Sequence, residues 1–467
     1  MTATTGTLTV QEAIDRIGYG NFQRRLLAIC GVTWVADSAE VLLLGFALPA
    51  IIPDFGISPA QAGLIATATF AGMLIGAWFW GTISDYIGRR TGFQLTVLIF
   101  ALFGLLSAFA PGWEWLAVLR FLTGFGLGGA LPLDFSVYAE FLPTRNRGRN
   151  LVILESFWAV GTILAAALAW ILVPTFGWRP LLATSAVAAV LVLWIRSSIP
   201  ESPRYLTISG KVDEARQILA DIARQNGQPA PEQDLVADRK QGGVTVSRLW
   251  ASRLQRSTLM LWIAWFCIAL AYYGIFTFLP LTFAEQGFSS IRTYQNTFIL
   301  ALAQVPGYFS AAYLLERWGR RNTLGIYLVA SAVFTFLFAI ASSPALILLA
   351  SVLMSFFALG AWGALYAWTP ELYPTEIRAT GVGWASGMSR IAGILAPILG
   401  GILFGIATTA SGSLLYVLSL WSAAFLVGGI VVFLLGVETR RQALSDTVSE
   451  SARGSGEVSS QAARSER

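Results

Sequence analysis

The sequence predicts an all-α integral membrane protein with twelve spanning helices in two six-helix repeats, joined by a helical linker on the cytoplasmic side. Three observations predict it. Hydrophobic residues make up 55% of the 467 positions and charged residues only 12%, against about 25% in a soluble chain; mean hydropathy is +0.65. Twelve apolar runs are long enough to cross a hydrocarbon core of about 30 Å, which takes roughly 20 helical residues. Two separated motifs recur along the chain at one fixed offset.

The elements follow in order. Residues 1–25 form a polar, amphipathic cytoplasmic segment without the pattern of a cleavable signal peptide. The first half, 26–196, carries runs near 26–52, 60–82, 92–110, 114–140, 150–173 and 179–196. The linker, 197–256, contains "GKVDEARQILADIARQNG", in which Val212, Ala215, Ile218, Leu219, Ile222 and Ala223 recur at helical spacing up to Gly227. That is an amphipathic helix expected to pack under the cytoplasmic face, with a membrane-surface or partner-binding role as the alternative. The second half, 257–437, carries runs near 257–283, 294–315, 323–342, 344–371, 380–405 and 412–436. The tail, 438–467, is rich in Ser, Arg and Glu and is expected to be disordered.

Charge sets the orientation. With both termini in the cytoplasm, Arg179 and Arg292 are the basic residues left outside and Arg120 and Arg390 those within spans; the rest of the 31 Lys and Arg fall inside. That asymmetry is the positive-inside pattern of a multi-pass protein of the cell membrane. The arginines fall in loops between apolar runs, so the formal charge of +5 is not read as a nucleic-acid surface. The chain has no histidine, and Cys30 and Cys267 lie in separate apolar runs. No imidazole catalysis, metal site, cofactor or nucleophile–base pair is expected, so the chain does not read as an enzyme, and carboxylates are left as the proton carriers near neutral pH.

The repeat is specific. "SDYIGRR" (84–90) matches "LERWGRR" (315–321), and "YAEFLPTRNRG" (138–148) matches "TPELYPTEIRA" (369–379), both at an offset of 231 residues. "GTISDYIGRR" (81–90) resembles the signature loop of the major facilitator superfamily, and "RFLTGFGLG" (120–128) its Arg-x-x-x-Gly-x-Gly-x-Gly pattern. With "PESPR" (200–204), these motifs resemble the branch of sugar porters and organic ion transporters. "VADSAEVLLLGFALP" and "ILESFWAVG" (153–161) are most similar to synaptic-vesicle-protein-like carriers and bacterial niacin permeases. The resemblance implies the major facilitator fold, an alternating-access transporter, and a central cavity lined by spans one, four, seven and ten with two, five, eight and eleven beside them.

The loop motifs read as a cytoplasmic gate. Asp85, Arg89 and Arg90 sit within reach of Glu140 and Arg147, and Arg317, Arg320, Glu371 and Arg378 form the matching cluster. Partly screened ion pairs there can hold one conformation and break in another; the alternative is helix capping and topology alone.

Six charges lie inside spans: Asp37, Glu40, Arg120, Asp134, Glu155 and Arg390. An acid at the centre of a spanning helix costs about 2.5–3.5 kcal/mol, so such groups mark a cavity or a pathway. Asp37 is about 17 Å into its span at 1.5 Å per residue, near the level at which Arg120 enters from the opposite side. Asp37 with Arg120 is therefore the expected proton-coupling pair, with Glu40 as its substitute and Asp134 nearby; in related proton-coupled sugar porters a first-span Asp and the fourth-span Arg play that part. A permanent structural ion pair is the alternative.

Arg390, roughly 18 Å beyond Arg378 along its helix, needs an anion: Glu155 at rest, or a substrate carboxylate. Trp158, Tyr272, Tyr273, Gln304, Trp362 and Tyr366 are the remaining candidate lining residues, with Gly274 as a bend in the seventh span. Aromatic walls suit a flat ring. The expected function is proton-coupled symport of a small aromatic carboxylate such as nicotinate, by a monomer whose partners are substrate, protons and lipid. An organic cation, favoured by Asp134 and the excess of acids, or a sugar is the alternative cargo.

Overall fold

The computed structural model describes residues 7–231, 233–236, 246–374, 377–406 and 410–440. It is built almost wholly of helices. These are α1 (Val10–Ile17), α2 (Asn21–Phe55), α3 (Pro59–Ile87), α4 (Arg89–Ser107), α5 (Trp113–Glu140), α6 (Arg147–Phe176), α7 (Trp178–Ala183) and α8 (Ala188–Ser198). The linker contributes α9 (Pro203–Ile208) and α10 (Val212–Gln225). They are followed by α11 (Gln255–Glu285), α12 (Ser290–Trp318), α13 (Arg320–Ile340), α14 (Pro344–Trp368), α15 (Arg378–Ile406) and α16 (Ala410–Leu435). Eleven helices among the described residues are long and apolar enough to cross a membrane, and a shorter apolar segment, Trp178–Val192, completes the series. That sixth run departs from a simple span. A 3-10 turn at Thr184–Val187 divides it into α7 and α8.

The helices are punctuated by local chemistry. Ser58 and Ser343 cap α3 and α14 from the N-cap position with proline just inside the helix, as sequence rules favour. The glycines of the 120–128 motif explain its spacing. A Cβ at Gly124 would lie 2.0 Å from the Thr69 carbonyl and one at Gly128 2.0 Å from that of Met73, so α3 and α5 meet backbone to backbone. α11 is continuous helix through Gly274, with Pro280 inside it further on.

The N-terminal segment is structured. Residues Thr7–Thr9 (β1) pair in parallel with Asp234–Val236 of the linker (β2), a small departure from an all-α chain. Thr9 and Glu12 form a capping box on α1, whose hydrogen bonds hold the Glu12 carboxyl below the usual carboxylate range. The predicted linker helix is α10, with Ala215, Leu219, Ile222 and Ala223 buried. Its Asn226 cap ties it to the first span, accepting from the Phe22 N–H at 3.0 Å and donating to Gln23 at 2.9 Å.

Packing divides the chain into two compact units that differ from the sequence halves. The first holds 1–240, 273–305 and 393–417; the second holds 241–272, 306–392 and 418–467. Within the first unit, the ends of α2 and α3 remote from the linker close onto α11, α12 and α15. The Tyr294 hydroxyl donates to the Phe46 carbonyl at 3.1 Å, and Thr67 donates to that of Ile394 at 3.1 Å. In the tail predicted to be disordered, Glu438 is instead engaged by backbone N–H groups; 441–467 lie outside the described residues.

Candidate functional site

In the first unit the intramembrane charges separate into two groups. Arg120, fully buried on α5, pairs with Glu40 of α2 at 2.8 Å, not with Asp37. Its other nitrogens donate to Ser107 at 3.0 and 2.9 Å, at the end of α4. Ser185, in the 3-10 turn between α7 and α8, donates to the second Glu40 oxygen. Gly104 leaves room for this acid, since a Cβ there would lie 2.9 Å from Glu40 Oε1. The expected Asp37–Arg120 pair is thus corrected. Asp37 and Glu40 lie one helical turn apart, about 4.5 Å along the axis, and the Ser107 and Ser185 hydroxyls converge at the Glu40 level.

Asp37 turns to a different neighbourhood. It is buried, and so is Asp134 of α5, which lies within electrostatic reach of it and against the Cys30 thiol. The Cys30 thiol, a weak donor, is the hydrogen-bonding neighbour of Asp134. Trp34, one turn before Asp37, packs at a tilt on Trp158 at 5.7 Å and edge-to-face on Phe135 at 5.4 Å. Glu155, one turn before Trp158 on α6, is also buried. Gln304 is fully buried on α12.

The second unit holds an aromatic quartet. Trp265 and Tyr272 of α11 meet Trp362 and Tyr366 of α14. Trp265 lies 5.5 Å from Trp362 and 4.8 Å from Tyr366, and Tyr272 lies 6.0 Å from Trp362. Tyr273 does not share this wall. It packs against Phe70 at 4.8 Å in the first unit, because adjacent helical residues point about 100° apart. Arg390 sits on α15, half-buried.

The loop motifs form two analogous clusters. In the first unit Arg89 donates to Ser84 at 2.7 Å and reaches Glu140 at 3.4 Å. In the second, Arg320 forks onto both Glu371 oxygens at 3.0–3.3 Å. Arg147 instead braces the Leu142 carbonyl at 3.2 Å and Gln11 of α1. Arg378 likewise holds the Pro370 and Tyr373 carbonyls. Arg317 departs from the expected cluster: it is exposed and lies over the Tyr313 ring at 4.8 Å. The Asp85 side chain is outside the description.

Two carboxylates complete these clusters unforeseen. Glu201, in "PESPR", accepts the Arg90 N–H at 3.1 Å, and Glu438 accepts the Arg320 and Arg321 N–H groups at 2.9 and 3.2 Å. Each acid caps the positive end of a helix that begins after a glycine of positive φ, Gly88 at 96° and Gly319 at 86°. A Cβ on either glycine would run into its carboxylate, at 2.5 and 2.3 Å.

This arrangement has known counterparts. The family described as "Sugar (and other) transporter" matches residues 32–448. The niacin transporter NiaP of Acinetobacter baylyi is 38% identical over 92% of this chain and 98% of its own length. Organic cation/carnitine transporter 7 of Arabidopsis thaliana is 35% identical over 95% of this chain and 97% of its own. Among solved structures, a partially occluded inward-open form of the xylose transporter XylE from E. coli has a TM-score of 0.73 at 16% identity. It covers 91% of this chain and 100% of that one. The chain therefore belongs to the sugar (and other) transporter family, within the major facilitator superfamily, and is a multi-pass membrane transporter.

Proposed function

We propose that this chain is a proton-coupled symporter of a small aromatic carboxylate such as nicotinate. It works by alternating access, as a monomer in the cytoplasmic membrane with both termini inside. The observation that carries the proton part is Asp134, buried within reach of Asp37 and set against the weak donor of the Cys30 thiol, with no arginine among the described residues beside it as Glu40 has. Two acids so placed in a dry site are relieved by holding a proton between them, and releasing it requires water or a new partner. Glu40 and Arg120 serve this site as scaffold rather than as carrier.

The substrate part is supported by the likeness to the niacin transporter, by the aromatic quartet and by Arg390. A nicotinate ring suits the faces and edges of Trp265, Tyr272, Trp362 and Tyr366. Its carboxylate suits the two-bond fork of a guanidinium. Within the first unit, Glu155, Trp158, Tyr273 and Gln304 are proposed as cavity-facing groups. Arg89 with Glu140 and Arg320 with Glu371 are proposed as conformational latches.

A second reading, an organic cation as cargo, is favoured by the buried acids Asp37, Asp134 and Glu155 and by the cation transporter among the relatives. One experiment separates them. Proteoliposomes with an inward proton gradient should accumulate labelled nicotinate, and a protonophore should remove the accumulation. Uptake of a labelled quaternary ammonium with none of nicotinate would replace the first reading by the second.

A further inference from the structure

A cavity of about 350 Å³ lies where the first span, the signature loop and the linker meet. Its polar wall is Arg25 of α2, Arg90 of α4, Ser198 at the end of α8, and Asp221 and Gln225 of α10. Its apolar wall includes Leu26 and Ile199. None of these residues belongs to the proposed proton or substrate groups, apart from Arg90 in the loop motif.

We infer that this cavity binds the phosphate group of an anionic glycerophospholipid. Depth is the first argument. Arg25 stands in the second turn of α2 and Arg90 at the start of α4, both at the linker ends of spanning helices. That is the headgroup level of the leaflet whose anionic lipids attract basic residues between helices. Trp194 supports the level: it precedes Ser198 by one turn on α8 and is partly exposed, as an interfacial tryptophan is.

Charge and shape are the second argument. Arg25 and Arg90 line the cavity with one acid, and that acid, Asp221, is itself paired with Arg224 at 3.0 Å. A phosphate diester matches the guanidinium fork, and the Arg25 guanidinium is already steered into the cavity wall by its 3.0 Å bond to Ser198. The third argument is continuity with an apolar path. Val32, two turns beyond Arg25 on the same face of α2, is exposed. Val187 and Val190 of the sixth run are exposed too, so acyl chains leaving the cavity meet hydrocarbon-facing helix surface. A soluble phosphate would gain nothing from that path, and this commits the site to lipid. The inference holds whichever substrate is carried.

The test uses the full-length chain in phosphatidylcholine nanodiscs with increasing phosphatidylglycerol, reading the thermal midpoint as a function of its fraction. Phosphatidylglycerol should raise the midpoint of the parent protein in a saturable way. Arg25→Gln should weaken the apparent lipid affinity about tenfold or more, the loss of one hydrogen bond between charged groups. Arg24→Gln, at an exposed neighbour that does not line the cavity, should leave it unchanged. Asp221→Asn should leave it unchanged or strengthen it, and inorganic phosphate added in detergent should give no comparable protection. Parent-like behaviour of Arg25→Gln, an equal loss in Arg24→Gln, or equal protection by inorganic phosphate would each overturn the inference.

Discussion

Glu40 and Asp37 stand one turn apart on the same helix, and their surroundings are opposite. Around Glu40 both oxygens are answered: Arg120 takes one, Ser185 the other, and Ser107 accepts from the two remaining nitrogens of the arginine. Around Asp37 the chain places a second acid, Asp134, beside the Cys30 thiol, with the tilted indole pair Trp34–Trp158 one turn away. On the reading proposed above, the satisfied pair is scaffold and the two facing acids share the proton. The contrast teaches that intramembrane charge alone does not identify a coupling site. The partners do.

The largest expected effect breaks the contrast on the Asp134 side. Asp134→Asn should reduce gradient-driven uptake to that of protein-free liposomes while leaving substrate exchange intact. Its thermal stability should stay within about 1 kcal/mol of the parent. Asp37→Asn should behave alike in both transport assays.

On the other side the effect should be structural. Arg120→Ala strands a buried carboxylate and should cost about 3–5 kcal/mol, read from denaturation in detergent. Replacing both partners, Glu40→Leu with Arg120→Met, should recover most of that loss. A double replacement as unstable as the single one would count against a scaffold role.

Gly88→Ala and Gly319→Ala extend the comparison to the two loop clusters. A side chain at a positive φ, pressed onto Glu201 or Glu438, should cost about 1–3 kcal/mol at either position. Similar losses would show that the two caps are equivalent; a loss confined to Gly88 would single out the first.

The smallest effect belongs to the aromatic quartet. Trp265→Leu removes edge-to-face contacts of about 0.5–1.5 kcal/mol each. It should raise the half-saturating nicotinate concentration several-fold with little change in maximal rate.

Much of this was legible in the sequence. Hydropathy located the runs to within several residues, and the offset of 231 located both arginine–carboxylate clusters. Every intramembrane charge on α2 and α5 proved buried. The pairing was not legible, because Asp37 and Glu40 share a helix face and only the position of Ser185, in an irregular turn of the sixth run, favours Glu40. Glu201 and Glu438 escaped the self-comparison because they stand 237 residues apart, six off the register of the repeat. Trp265 was within reach, two turns before Tyr272 on one face. The β1–β2 ladder was not, since three-residue strands so far apart carry no periodic signal.

The most direct test is substrate-driven proton entry, followed with a trapped pH dye in proteoliposomes given nicotinate without an imposed gradient. Internal acidification is predicted for the parent and for the Glu40→Leu, Arg120→Met double variant, and none for Asp134→Asn. Acidification by Asp134→Asn at the parent rate, or its loss in a folded double variant, would contradict the assignment of the proton to Asp37 and Asp134.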